Sequence, residues 1–389
     1  MQAFRNNHLW GRFSTCPTFA SLVGPITNLS YLICFIFLLF LTASAQSKQP
    51  SPQTVEAQLK AALQREPKSF IALHQLGEFY LRQNKFQRAI PLLAQAAQLD
   101  PTHYANGYDL ALAYLRTNQL DAARAQVRAM LERQATAELF GLLGDIEQQA
   151  GRDEAAAEEY QRAARLDESE DRILAFAASL VKIRAYEGSL QIFNYGLKKY
   201  PQSARLRVAL GVAHYSAGRY PEAVTILCEA ADLDPSDARS FQFLGEMYGV
   251  VPEMAEQVTQ RMKQFVTLHP QNALAHFYYA MSLWKGRIDP TARTAAASEI
   301  ETLLRTALRL DPKFATAYFE LGILLAEQQN TSAAIRALEQ AVKLNPTLSQ
   351  AHYRLMQLYQ RTGQKARAAK ALAAFQKYKE NESPPLISK

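Results

Sequence analysis

Residues 70–101 read FIALHQLGEFYLRQNKFQRAIPLLAQAAQLDP, and within them Leu76, Gly77, Tyr80, Ala89, Ala96 and Pro101 set a pattern. The same order of residue types returns as Leu321, Gly322, Leu325, Ala334, Ala341 and Pro346. A motif recurring at roughly 34 residues signals stacked helical units. The prolines keep the count: Pro67 to Pro101, Pro201 to Pro235 and Pro312 to Pro346 are each 34 residues apart. Proline cannot donate to the preceding helical turn and restricts the residue before it, so each of these stops a helix. The interval from Pro101 to Pro201 is 100 residues, which fits three units.

Composition agrees with an all-α chain, because Ala, Leu, Gln, Arg and Glu abound while runs of β-branched residues are scarce. A length of 389 residues would by itself allow two or three domains. In a solenoid that inference lapses, since each unit packs only on its neighbours and the core grows with their number. Small residues fall where two helices of a unit must approach: Gly77, Gly144, Gly211, Gly245 and Gly322 on the first, Ala89, Ala123, Ala156, Ala223, Ala334 and Ala368 on the second. Tyr80, Tyr114, Tyr248 and Tyr359 recur as bulky partners beside them.

Together these residues resemble the tetratricopeptide repeat family over about residues 54–379. The resemblance implies a right-handed α-solenoid of stacked helix-turn-helix repeats. Nine units are counted in 70–379, beginning near Phe70, Tyr104, Ala137, Glu170, Ala204, Ala238, Ala273, Ala315 and Ser349, with a capping helix over 54–69. Two units depart from the pattern. The sixth carries Val251-Pro252 where its turn belongs and is irregular over 249–270; the seventh holds an insertion at 286–297, because Pro270 and Pro312 are 42 residues apart. Each departure reads either as a hinge or recognition loop, or as an insertion that a loop tolerates at small cost. Residues 380–389 read as a flexible tail.

The first 45 residues belong to a different class of sequence. Arg5 and Arg12 precede an unbroken apolar run from Tyr31 to Leu41, and Ala43-Ser44-Ala45 follows, the layout of a secretory signal peptide cleaved after Ala45. The stretch 26–45 is also long enough to serve as an uncleaved membrane anchor. Both readings export the repeats, to a periplasm or the extracellular space, past a linker at 46–53. Cys34 follows Ile33, which does not suit lipoprotein processing. Setting aside Arg5 and Arg12 lowers the net charge from +7 to +5, too mild for a nucleic-acid surface. Cys16 and Cys34 depart with the leader, so Cys228 has no partner for an intrachain disulfide and reads as an inert, partly buried thiol.

Catalytic patterns are missing. The histidines beyond the leader, His74, His103, His214, His269, His276 and His352, show no i, i+4 pair, and there is no Cys-x-x-Cys, phosphate-binding glycine loop or Gly-x-Ser-x-Gly. No metal, no cofactor and no enzymatic activity are expected. His276 and His352 fall at a helix-packing position, and the acidic run Asp167 to Asp171 falls at a junction between units, where it reads as a solvated turn.

Function is then expected on the surface that stacking creates. In the family, first helices line a concave groove that takes an extended peptide or a partner helix. By that resemblance the groove would present His74, Glu78, Arg82, Tyr108, Leu112 and Arg116, then Asp145, Lys182 and Tyr215, then Phe277, Met281, Trp284, Lys285, Phe319, Tyr353 and Arg361. Aromatic and cationic side chains supply rigid contact area and charge-assisted hydrogen bonds. Glu78 would repel the terminal carboxylate that the family's chaperone-binding clamp accepts, and one thiol cannot build the metal module of a nine-repeat envelope assembly relative. The expectation is an exported scaffold, monomeric or weakly self-associating, that binds a protein partner through its groove. The alternative is a carbohydrate-binding or enzyme-associated envelope module stacking sugars on the aromatic C-terminal stretch.

Overall fold

Helices stop at the predicted prolines, where a side chain at the helix end takes up a backbone amide just beyond it. In the computed structural model, which describes residues 51–285 and 296–379, Asp100, Asp167, Asp234, Asp311 and Asn345 each accept the amide two residues ahead, at 2.9–3.1 Å. This side-chain turn competes with the helix and ends it. The leader at 1–45, the core of the insertion at 286–295 and the tail at 380–389 lie outside the described residues.

The chain divides into two compact units, Met1–Gln64 and Arg65–Lys389. The described part of the first, 51–64, lies almost wholly in α1, Pro52–Arg65, which has no fully buried residue and a Lys60–Glu56 ion pair at 2.7 Å. It starts inside the stretch read as linker, with Pro52 at its first position, where a missing amide leaves no bond unmade.

The second unit is a right-handed α-solenoid of helical hairpins. The hairpins pair α2 (Phe70–Arg82) with α3 (Phe86–Leu99), α4 (Tyr104–Arg116) with α5 (Leu120–Leu131), and α6 (Ala137–Gln149) with α7 (Asp153–Leu166). Next come α8 (Glu170–Lys182) with α9 (Tyr186–Lys199), α10 (Ala204–Ser216) with α11 (Tyr220–Leu233), and α12 (Ala238–Gly245) with α13 (Ala255–Leu268). The last three pair α14 (Ala273–Trp284) with α15 (Ala297–Leu310), α16 (Ala315–Glu327) with α17 (Thr331–Leu344), and α18 (Ser349–Arg361) with α19 (Lys365–Lys379). No strand occurs among the described residues.

Within hairpins the turn has one solution, used repeatedly. A residue in the left-handed region sits two places beyond the first helix: Asn84, Asn118, Gly151, Arg184, Gly218, Gln329 and Gly363, with φ between 57° and 76°. The next amide then reaches back to the last turn of the helix, as from Lys85 to Tyr80 O at 2.8 Å and from Gln119 to Tyr114 O at 2.8 Å. In the sixth hairpin α12 stops after eight residues, and the left-handed residue is Gly249, about one helical turn early. A 3₁₀ turn at Pro252–Met254 then leads into α13.

The break at 249–270 is packed. Phe241, Met247, Val251, Met262 and Phe265 are all buried, and the Phe241 and Phe265 rings stack at 5.0 Å. They belong to one apolar core that runs from Val208 to Ala371, whereas the earlier hairpins hold smaller, separate clusters. Cys228 lies in the large core, buried and unbridged, and burial pushes its thiol pKa up, which keeps it protonated and inert.

The histidines and the acidic run are both tied down. His276 and His352 each donate through Nε2 to the carbonyl of the proline six residues before, Pro270 and Pro346, at 2.9 Å. Asp167 to Asp171 lies at the surface of the junction, as a solvated turn would, and its acids make exposed pairs there: Glu168 accepts from Lys199 at 2.9 Å and Tyr195 at 2.7 Å, and Asp171 pairs with Arg205 at 2.8 Å. The Lys199 hydrogen bond leads in holding the Glu168 carboxyl below its usual range.

Candidate functional site

The residues expected to face the groove divide into three stretches with different chemistry. In the first, Phe70, His74 and His103 form a ring cluster with centroids 4.6–5.7 Å apart. His74 Nδ1 is 3.2 Å from Asn106 Oδ1, and the buried Asn106 amide donates to Leu93 O at 3.0 Å. Glu78 and Arg82 bind each other at 2.5 Å. This stretch is largely self-satisfied.

The middle stretch is ionic. Tyr160 donates to Asp145 Oδ1 at 2.6 Å. Part of Asp145 reaches solvent, yet its carboxyl is ringed by protein, and that crowding raises its pKa against the Tyr160 hydrogen bond and the charges of Arg116 and Arg172. Tyr108 is half-buried beside Tyr104, their rings stacked at 6.4 Å, and burial raises its pKa. Lys182 lies 3.9 Å from Asp153, and Tyr215 packs on Tyr220 at 5.4 Å.

The third stretch contains a recess of about 450 Å³ between α14, α16, α18 and α19. Trp284, Lys285, Phe319, Glu320, Ile323, Glu327, Gln350, Tyr353, Arg354 and Phe375 line it. Trp284 and Phe319 are 4% and 6% exposed, so they form its floor. Lys285 Nζ lies 5.2 Å from the Trp284 ring centroid and donates to the buried Glu320 carboxylate at 2.6 Å. Tyr353 is 38% exposed and tilts against Phe375 at 5.2 Å, forming the accessible aromatic wall.

Two expected groove residues are core residues. Phe277 is 5% exposed and packs on Phe314 at 4.8 Å, and Met281 is fully buried. The reason lies in the helix itself: α14 reads ALAHFYYAMSLW, without a charge, and a helix apolar on every face is buried on every face. Trp284 and Phe319 are buried too, and contribute to the site only as floor. Arg116 and Arg361 are exposed at the ends of their helices; Arg361 does not line the recess.

Sequence reasoning missed Phe375, Arg354 and Ile323 in the recess, and Arg172 in the middle stretch. Phe375 carried a signal, because the corresponding position is Ala96, Ala163, Gly196, Ala230, Ala307 or Ala341 in six other hairpins. A large ring stands where a small residue usually serves packing. Arg172 gave none: its placement depends on Gly141 of the neighbouring hairpin, over which it lies.

Among the described residues no group of His, Cys, Asp and Glu is arranged to hold a metal ion, and no helix is long and apolar enough to cross a membrane. Tetratricopeptide repeat models match residues 80–146, 137–170 and 174–238, and a bacterial transcriptional activator domain model matches 252–382. The human protein O-mannosyl-transferase TMTC3 is 23% identical over 214 residues, 53% of this chain, and the chain spans 22% of that relative's length. YrrB, a TPR protein with an unusual peptide-binding site, is 19% identical with a TM-score of 0.39, over 47% of this chain and 95% of its own. A tetratricopeptide repeat protein from Parabacteroides merdae is 17% identical with a TM-score of 0.46, over 65% of this chain and 98% of its own. With the repeat models set on hairpins of constant turn geometry and constant small-residue contacts, the chain is a tetratricopeptide-repeat protein.

Proposed function

We propose that this repeat protein is an exported scaffold, without catalysis of its own, that captures a partner protein as an extended segment lying along its first helices. The observation that carries the reading is the C-terminal recess, where the Tyr353 and Phe375 rings stand over a floor of Trp284 and Phe319. Exposed rings beside a dry floor suit an apolar anchor residue, since binding energy concentrates in such desolvated pockets. Arg354 and Glu327 at the rim supply polar contacts of both signs.

Export rests on Arg5, Arg12 and the run Tyr31 to Leu41, all outside the described residues. Sequencing the N-terminus of the mature protein tests it: a start at Gln46 supports cleavage after Ala45, and an intact leader supports the anchor.

Photocrosslinking from position 353 in cells, followed by mass spectrometry, tests the groove. The expected result is one specific protein captured from Tyr353, absent from the second-helix position Arg336, and lost when Phe375→Ala and Arg354→Ala are added. Capture equal at both positions would sink the assignment. Binding on a glycan array that disappears with Tyr353→Ala would instead favour the sugar-stacking alternative. Trp284 is unsuited to such tests, because truncating a floor residue that is 4% exposed would damage the fold as well.

A further inference from the structure

The groove has a gap in its third hairpin. The fifth residue of the first helix is the half-buried Tyr108 in the second hairpin and Leu174, buried in the core, in the fourth; in the third it is Gly141. The notch so formed is occupied by Arg172, from the first turn of α8: a Cβ built on Gly141 would collide with its Nη1. Arg172 has a side chain 25% exposed, and its carboxylate contact among the described residues is a long one, Nε to Asp167 at 4.0 Å. Its terminal nitrogens make no hydrogen bond there.

The carboxylates around Arg172 engage it only loosely. Arg172 and Arg116 both bear on the Asp145 carboxyl, one oxygen of which is already taken by the Tyr160 hydroxyl. Arg116 is exposed and forms no ion pair among the described residues. Arg172 and Arg116 thus act on Asp145 without a close ion pair to it, Asp167 holds Arg172 only at 4.0 Å, and the Arg172 charge also reaches Tyr108, where Glu138 opposes it. A planar guanidinium held against a wall keeps its fork oriented and loses little freedom on binding, which favours two parallel hydrogen bonds to a second carboxylate.

We propose that the Gly141 notch is a carboxylate-reading subsite, in which Arg172 receives an Asp or Glu side chain of the peptide segment bound in the groove. This rests on the groove reading above. It assigns the middle hairpins a selective role separate from the aromatic recess. Gly141 acts as the positioning residue: a larger side chain there would expel the arginine from the notch.

The test is selection of displayed random dodecapeptides on the full chain, then affinity measurements on the selected peptides. The peptides should share an Asp or Glu, and changing it to the amide should weaken binding about tenfold, a loss of about 1.4 kcal/mol. Arg172→Met should cost the same and show no further loss with the amide peptide, Arg172→Lys should recover part of the affinity, and Gly141→Leu should mimic Arg172→Met. Circular dichroism of each variant, together with unchanged sensitivity of binding to Tyr353→Ala, controls for folding. Peptides that depend on Tyr353 yet ignore Arg172, or that lack a shared acid, overturn the subsite and leave the groove standing. An Arg172 effect abolished by amidating the peptide C-terminus alone overturns the side-chain assignment in favour of a chain end. Failure to select any peptide overturns both readings.

Discussion

The fifth and sixth hairpins solve the same packing problem with opposite residues. In the fifth, Gly211 lets Leu227 of its own second helix approach, and Ala223 and Ala230 keep the two helices close. In the sixth, the positions of those alanines hold Val258 and Phe265, and Gly245 is covered by Tyr278 of the next hairpin. Tyr278 also donates to Glu246, tying the hairpins across the break. With α12 ending after eight residues, its missing last turn leaves room that large side chains fill. Faltering of the period therefore marks a change in who packs against whom, and the continuous core from Val208 to Ala371 is its consequence.

The comparison can be broken most severely by exchanging its residues. Phe265→Ala removes a fully buried ring stacked on Phe241, and a loss of about 3–5 kcal/mol is expected in the stability of the C-terminal hairpins. The reverse change, Ala230→Phe, overfills a site with 1% exposure and should cost about 1–3 kcal/mol. Hydrogen exchange resolved by helix is the suitable measurement, because a repeat array opens locally and a single unfolding free energy averages over it. Phe265→Ala should lower protection in α12 to α15 and leave α2 to α7 unchanged. Equal loss along the whole chain would contradict a break that belongs to its own neighbourhood.

A smaller effect separates the two glycine contacts. A Cβ at Gly211 would lie 2.6 Å from Leu227 Cγ, in a side chain that can rotate away. A Cβ at Gly245 would strike Cγ of the Tyr278 ring, which is rigid and fixed by its hydroxyl. Gly245→Ala should thus cost about 2–3 kcal/mol and Gly211→Ala about 1 kcal/mol, within the range for overpacking. The order is what matters: thermal melts in which Gly211→Ala is the more damaging would remove the distinction between the hairpins.

Much of the fold class was legible because proline and small residues act locally. A stop at Pro101 or a close contact at Gly77 needs no knowledge of distant residues. The candidate site was less legible, since a helical period gives the direction of a side chain and not what covers it. Tyr215 and Trp284 occupy the same position in their first helices, but Tyr215 is half-buried while Trp284 is 4% exposed. The difference comes from α14 being apolar all round, a property written in residues 273–284 that a position-by-position reading overlooks. Arg172 over Gly141 arises between hairpins, where no spacing in one repeat reports it.

The hairpin turns allow the finest test of regularity. Arg184 and Gln329 occupy the left-handed position, with φ of 61° and 62°, where Gly151, Gly218 and Gly363 serve in other hairpins. A side chain there crowds its own carbonyl, while glycine avoids the clash at the cost of more freedom lost from the unfolded chain. The clash is the larger of the two, so Arg184→Gly and Gln329→Gly should each stabilise by about 0.5–1 kcal/mol, and Gly218→Ala should destabilise by a similar amount. The turn carries few other contacts: nothing lies within 4 Å of a Cβ at Gly218 or Gly363, so the effect isolates backbone conformation. If instead Gln329→Gly lowered the melting temperature, the glutamine would have to contribute through its side chain, and the turns could no longer be treated as equivalent. Gly249 is the contrasting case, because a Cβ there would come within 3.2 Å of the Lys285 carbonyl in addition to its φ of 71°. Gly249→Ala should therefore cost more than Gly218→Ala, and the excess measures how tightly the displaced turn of the sixth hairpin is held against the seventh.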